Sequence, residues 1–295
     1  MKVLLITGGD SSERTVSLTS AKTVKKGLVK NHHKVGVYDL RGGYKKIEEI
    51  SKNYDVLFPI LHGEEGEGGK LHKFLNKINK PIVGTRNYKG LEQAWDKINF
   101  KKYCDNYKIK TSPWKIVSKT KDAEVFGFPS VLKASNGGSS REVMILKNEV
   151  DLHKTQAVKI VSSRRALVEK YLPGIEVTSG VLEDKALPLL EIKPTKDTWF
   201  SYKTKYDNTT LEIPFAPSLN PEISEKVKRI ALKIHRHFNL GTYSRTDFIV
   251  HKNEIFALEV NTIPGLTPGS LLPKAAAANG INFNEFLEIL IKNAK

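Results

Sequence analysis

Apolar residues along this chain follow two rhythms that alternate through its first third. One is the short continuous run and the other is a spacing of three to four. Val3 to Thr7 reads as a buried strand that ends at Gly8 and Gly9. Ser17 to Val29 places small or apolar residues at Leu18, Ala21, Val24 and Leu28, which is helical spacing. Lys34 to Asp39 and Asp55 to Ile60 read as further strands, Leu71 to Ile78 as a helix, and Pro81 to Gly84 as a short strand. Strands that alternate with helices predict an α/β unit with a parallel sheet over residues 1–86. Loops at the C-terminal ends of such strands collect ligand-binding residues. Two glycine-rich segments, Gly8 to Arg14 and His62 to Gly69, stand in that position.

The rhythm then changes. Leu91 to Tyr107 reads as one helix, followed by strands at Trp114 to Val117, Ser130 to Lys133, Val143 to Leu146 and Ala166 to Glu169. A helix is expected around Val150 to Ile160, which makes 87–173 a small α+β unit. From Gly174 come several strands, an extended polar stretch from Thr195 to Thr210, and a helix from Glu222 to Phe238. Pro221 before that helix and Gly241 after it are the expected punctuation. Strands follow at Tyr243 to Val250 and Ile255 to Leu258, and a helix from Phe283 to Lys292 closes unit 174–295.

The last two strands carry the clearest chemistry. Alternation puts Glu259 and Asn261 on one face of their strand and Arg245 and Asp247 on one face of the other. Asp247, Glu259 and Asn261 are hard oxygen ligands with no His or Cys beside them, a set suited to Mg²⁺ rather than zinc. An arginine beside carboxylate-held Mg²⁺ is typical of phosphoryl transfer from ATP. The same pattern also describes an edge strand with solvated polar residues.

Asn136 to Ser140 links two strands with glycines and hydroxyls that can cradle phosphate, with Lys133 adding a point charge. A plain hairpin turn fits it equally well. Glu169 to Leu172, then Pro173, Gly174 and Glu176, form a strand end and linker whose backbone can bind an adenine edge. A solvated domain linker is the alternative. Lys205 and Tyr206 lie in the polar stretch with Trp199, Phe200 and Tyr202, either a functional lid or a set of packing anchors.

Composition narrows the classes. The 295 residues carry a net charge of +16, but the lysines are scattered, including helical faces at Lys22 to Lys30 and Lys101 to Lys110. No nucleic-acid-binding motif accompanies them, so an anionic nucleotide substrate is the simpler partner and no nucleic acid is expected. No apolar run nears the roughly 20 residues of a membrane span. The apolar N-terminal run is too short for a signal peptide. Cys104 is the single cysteine, which leaves no internal disulfide and reads as an ordinary core or surface thiol. A cytoplasmic protein with no membrane partner is expected.

Taken in order, these segments resemble the D-alanine–D-alanine ligases of the ATP-grasp superfamily along nearly the whole chain. The matching pieces are Gly8 to Leu18, His62-Gly63 with Gly66 to Gly69, Asp96-Lys97, Lys133 with Gly138 to Ser140, and Glu169 to Leu172. Lys205-Tyr206, Arg245 to Asp247, and Glu259 to Thr267 with Ser270-Leu271 complete the set. The resemblance implies a three-domain ATP-grasp fold with a Rossmann-like, pre-ATP-grasp N-terminal domain. It also implies ATP between the central and C-terminal domains, with Lys97, Lys133, Ser139, Ser140 and Lys205 near the phosphates. Glu169, Lys170, Tyr171 and Leu172 would hold the adenine and Glu176 the ribose. Two Mg²⁺ or Mn²⁺ ions would sit on Asp247, Glu259 and Asn261. Glu13 would hold the first D-alanine's ammonium in a Glu13–Ser139–Tyr206 network near His62. Ser270 and the Leu271 N–H would take the second D-alanine's carboxylate. Arg245 and the Gly265 N–H would face the oxyanion. The family's usual homodimer is expected.

The chain departs from the family pattern at Trp95, Gly137, Ser201 and Gly269, where methionine, glutamate, aspartate and a histidine-like residue are usual. None removes a metal ligand or phosphate lysine. Gly269 bears on the second-substrate pocket, so a different amino acid or a hydroxy acid is the runner-up acceptor. Tyr206 argues against the hydroxy acid. A nucleotide-binding module without ligase chemistry and a basic nucleic-acid binder are the readings from other classes.

Overall fold

The computed structural model describes residues 1–137, 142–163, 165–195 and 210–295. It opens with β1 (Lys2–Thr7), α1 (Arg14–Lys30), β2 (Lys34–Asp39), α2 (Tyr44–Ser51), β3 (Val56–Pro59) and α3 (Lys70–Leu75). β1 pairs in parallel with both β2 and β3, giving the order β2-β1-β3. The apolar run of β1 is buried on both faces, as a central parallel strand requires. One face packs with Tyr38, Ile47, Leu71 and Ile82, and the other looks toward the rest of the molecule. The stretch expected as a strand at residues 81–84 makes only a single bridge, Leu57 to Ile82.

Residues expected as one helix form two, α4 (Tyr88–Trp95) and α5 (Lys97–Asn106). Asp96 breaks them with an extended backbone. Its Oδ1 accepts the Asn99 N–H at 2.8 Å and the Ser135 hydroxyl at 2.8 Å. The N-cap bond outcompetes helix continuation because an aspartate satisfies the orphan donors of a new first turn.

β4 (Trp114–Val117), β5 (Ser130–Ala134), β6 (Val143–Leu146), α6 (Thr155–Ser163) and β7 (Ala166–Lys170) follow. The strands form an antiparallel sheet ordered β4-β7-β5-β6. Ala123, Leu132, Leu146, Leu152 and Val168 give this sheet a core of its own. The helix expected to start near residue 150 begins as a 3₁₀ turn, Glu149–His153.

The third sheet holds β8 (Ile175–Leu182), β9 (Lys185–Ala186), β10 (Leu190–Pro194), β11 (Thr210–Pro214), β12 (Tyr243–His251) and β13 (Glu254–Asn261). Its order is β11-β10-β8-β12-β13, with β9 paired to β8. α7 (Pro221–Phe238) precedes β12, and α8 (Leu271–Ala278) and α9 (Phe283–Lys292) end the chain. Asn220 caps α7 through its side chain, and Ile223, Val227, Ala231, Ile234 and Phe238 form its buried stripe.

Core packing crosses these sheets. α4 and α5 pack on the large sheet, where Leu91, Phe100 and Cys104 share one cluster with Val177, Val227, Phe248 and Val260. Val3, Leu5 and Phe58 of the first sheet share another with Leu182, Leu190, Leu272 and Phe286. α5 therefore stands on the large sheet while its N-terminus faces the four-stranded one. This position sets the geometry of the cleft.

One junction is unusually close. Gly241 has φ +79°, and a Cβ there would lie 2.0 Å from the Gly84 carbonyl oxygen. Gly241→Ala is expected to destabilise the fold by about 2 kcal/mol or more, through the left-handed backbone and the backbone clash together. The urea midpoint of the purified variant measures it, and an unchanged midpoint would refute the contact.

Candidate active site

β12 lies between β8 and β13, with Arg245 opposite Asn261 and Asp247 opposite Glu259. A register shift just after Asp247 marks a bulge in the ladder. The four polar side chains thus meet across two strands. Arg245 donates to both Asp247 oxygens at 2.9 Å, a bidentate pair. Thr178 donates to Asp247 Oδ1 at 2.5 Å, and the Asn261 amide donates to Oδ2 at 3.1 Å.

Glu259 is paired with Lys97 at 3.1 Å. Lys97, at the start of α5, also donates to the Gly137 carbonyl at 2.9 Å. Burial opposes the Lys97 charge, but Glu259, Glu67 and Glu169 outweigh it and hold its pKa above the ordinary value. The Asp96 break therefore does chemical service: it puts this ammonium where α5 begins.

Two cavities meet here. The larger is about 510 Å³ and is lined by Glu13, His62, Glu67, Lys97, Arg245 and Asn261 on one side. Gly265, Ser270 and Leu271 line its other wall. The smaller, about 130 Å³, is lined by Lys133, Glu169, Lys170, Tyr171, Leu172 and Glu176, together with Asp247. Glu259 lines both.

In the smaller cavity, Glu169 is a buried carboxylate between two lysines. Lys133 reaches its Oε1 at 3.0 Å and Lys101 reaches the same oxygen at 3.2 Å. Burial opposes the Glu169 charge, but the two lysines outweigh it and keep its pKa below the ordinary value. Lys101, the first lysine of the lysine-rich helical face Lys101 to Lys110, is 0% exposed. The face of α5 that carries Lys97, Lys101 and Cys104 points inward, as the spacing of its apolar neighbours Phe100 and Cys104 signals. Burial pushes the Cys104 thiol up to about 12, so it is an inert core group.

In the larger cavity, Glu13 sits just before α1 and is buried. The His62 backbone N–H donates to Ser17 Oγ at 3.1 Å. Burial lowers the His62 pKa, and Nε2 is buried without a hydrogen bond. At the far wall, Thr267 N–H donates to Ser270 Oγ at 3.2 Å, and the two hydroxyls are 2.9 Å apart. Ser270 makes no side-chain bond to the first turn of α8. The N–H groups and dipole of that helix end suit a carboxylate.

Glu67 was given no role by its sequence. Its carboxylate accepts the Gly63 N–H at 2.9 Å, and Thr262 Oγ1 donates to its carbonyl at 3.1 Å. These bonds fasten the glycine loop to the exit of β13. Gly66 is needed because a Cβ there would fall 1.9 Å from the Leu61 carbonyl oxygen. Burial, with Glu13 adding to it, pushes the Glu67 carboxyl up to about 8. A carboxylate boxed among glycines after a buried strand was the available signal. Trp95, whose Nε1 is buried without a partner, and Thr267 also line this cavity. Ser139, Ser140, Lys205 and Tyr206 lie outside the described residues.

The donor set fits a divalent cation of the Mg²⁺ kind. Among the described residues no group of three His, Cys, Asp or Glu side chains is assembled for a metal. Two carboxylates and an amide are what a protein contributes when phosphate oxygens and water complete the shell. Each carboxylate already faces a cation, so the oxygens converge with their charge balanced.

A four-stranded antiparallel sheet set against a larger one, with a cleft between them, is the ATP-grasp architecture. The family model described as "D-ala D-ala ligase C-terminus" matches residues 98–292. The chain is 35% identical to the D-alanine–D-alanine ligase of Maridesulfovibrio salexigens over 99% of its length and 98% of that protein's. It is 36% identical to the ligase of Syntrophobacter fumaroxidans, covering 100% of this chain and 97% of that one. The Bacillus anthracis ligase complexed with ATP superposes with a TM-score of 0.85 at 28% identity, covering 99% of this chain and 97% of that one. This chain belongs to the D-alanine–D-alanine ligase family. No helix among the described residues is long and apolar enough to cross a membrane.

Glu67 gives a pH signature. Its folded pKa of about 8 lies above the ordinary 4.5, so between these values the folded state binds more protons than the unfolded. Its contribution is complete below about pH 4.5 and is lost as pH rises to about 8. Glu67→Gln stays neutral, so its stability relative to wild type should rise across that window. Denaturant unfolding at several pH values reads this, and a constant difference would show that Glu67 titrates normally.

Proposed function

We propose that this chain joins two D-alanine molecules at the expense of ATP, making D-alanyl-D-alanine for peptidoglycan. The observation that carries the reading is Glu259, which borders both cavities beside Lys97 and across the ladder from Asp247. A phosphoryl group transferred at that point passes from a nucleotide in the smaller cavity to an acceptor in the larger.

The adenine lies along Glu169, Lys170, Tyr171 and Leu172, and Glu176 takes the ribose hydroxyls. Lys97 and Lys133 turn from their carboxylates to the phosphates, assisted by Ser139, Ser140 and Lys205. Asp247, Glu259 and Asn261 would hold two Mg²⁺ or Mn²⁺ ions, which would supply charge neutralisation at the phosphate oxygens. Glu13 holds the ammonium of the first D-alanine, with His62 beside it and Ser139 and Tyr206 completing the network. That substrate's carboxylate oxygen attacks the γ-phosphorus, the bond to ADP breaks, and a D-alanyl phosphate forms.

Ser270 and the Leu271 N–H hold the carboxylate of the second D-alanine. Its amine, having lost a proton, attacks the acyl carbon, and inorganic phosphate leaves. Arg245 and the Gly265 N–H stabilise the oxyanion of that step. Water must be kept from the acyl phosphate, a task suited to the loop that holds Trp199 and Tyr206. Three domains over 1–86, 87–173 and 174–295, a homodimer and a cytoplasmic location belong to the same reading.

Phosphate release from Mg-ATP with and without D-alanine tests the reaction. Release that depends on D-alanine, with the dipeptide identified by mass, is expected. Release only with another amino acid or a hydroxy acid would overturn the acceptor assignment. Glu259→Ala is expected to lose at least about a hundredfold in kcat with the fold intact, as loss of a transition-state electrostatic contact does. Unchanged turnover would remove Glu259 from the site.

A further inference from the structure

Lys101 takes no part in the mechanism above, yet a wholly buried lysine is costly unless something compensates it. Its ammonium reaches Glu169 Oε1 at 3.2 Å, the oxygen that Lys133 reaches at 3.0 Å. It also donates to Thr111 Oγ1, which in turn donates to the Ala257 carbonyl at 2.8 Å. Two lysines thus share one carboxylate oxygen. Lys133 and Glu169 line the smaller cavity, and Lys101 stands behind them.

The arrangement is asymmetric. Lys101 sits on α5, anchored to the large sheet, whereas Lys133 and Glu169 sit on β5 and β7 of the four-stranded sheet. Without Lys101, Glu169 and Lys133 would form a neutral pair. An anion could then engage Lys133 only by stranding a buried carboxylate, which is strongly unfavourable. With Lys101 in place, Glu169 keeps a partner when Lys133 turns away.

We propose that Lys101 is a positioning residue for nucleotide phosphates: by occupying Glu169 it frees Lys133 to bind them. The inference rests on the reading of the smaller cavity as the nucleotide site. It distinguishes the phosphates from the base, because Lys101 touches neither cavity and acts through a charge.

Calorimetric binding of ATP and of adenosine to the full chain tests it. Lys101→Met is expected to weaken ATP about tenfold, the scale of a lost charged hydrogen bond, and adenosine by less than about twofold. Equal weakening of both ligands, or of neither, would overturn the proposal. A second comparison does not depend on that variant folding. Against Glu169→Gln, the double variant Lys101→Met/Glu169→Gln is expected to bind ATP within about twofold, since no carboxylate remains to capture Lys133. A tenfold loss there would show that Lys101 acts without Glu169. If wild type itself binds neither ligand, the nucleotide reading fails, and this inference falls with it.

Discussion

The antiparallel pairing of β12 with β13 is the constraint on which the site depends. A sheet register is all or nothing: a slip of one residue turns every side chain to the opposite face. Here the register sets Arg245 against Asn261 and Asp247 against Glu259, next to the bulge. Phe248, Ala257 and Val260 on these strands enter the core shared with α4, α5 and α7. The packing that fixes the register therefore also fixes the polar quartet. β13 alone would not achieve this, because among the described residues its only strand neighbour is β12.

Around that ladder the charges are grouped so that each carboxylate faces a cation. Asp247 has Arg245, Glu259 has Lys97, and Glu169 has Lys101 and Lys133. Ion pairs of this kind contribute little net stability, since desolvation offsets most of the attraction. Their value is in poise. Cations already gathered and dehydrated meet an anionic substrate without the reorganisation that water would demand. Glu67 is the exception, a carboxyl whose burial favours its neutral form and whose main-chain bonds hold a loop in place.

Much of this was legible in the chain. Continuous apolar runs gave β1 and β3, and period-two alternation put the metal-type ligands on shared faces before any partner strand was known. The helix at Asp96 was misread because one aspartate inside a helical pattern costs little by propensity. Its cap oxygen also accepts from Ser135, which lies 39 positions away. Lys101 was not singled out for a related reason. Lysine defaults to the surface, and only the company of Glu169, 68 residues on, makes a buried lysine tolerable. Long-range partners of this sort are invisible to local pattern. The order of short motifs, by contrast, identified the family without them.

The four-stranded sheet has its own hydrophobic core, so little apolar packing ties it to its neighbours. Among the links that span the gap are polar ones from α5. Lys97 grips the Gly137 carbonyl, and Lys101, one turn further along α5, grips Glu169. The start of α5 is pinned more directly as well, because Ser135, just after β5, donates to Asp96 at 2.8 Å. Parting the sheet from α5 would bare the buried charges of Lys97 and Lys101, which is costly.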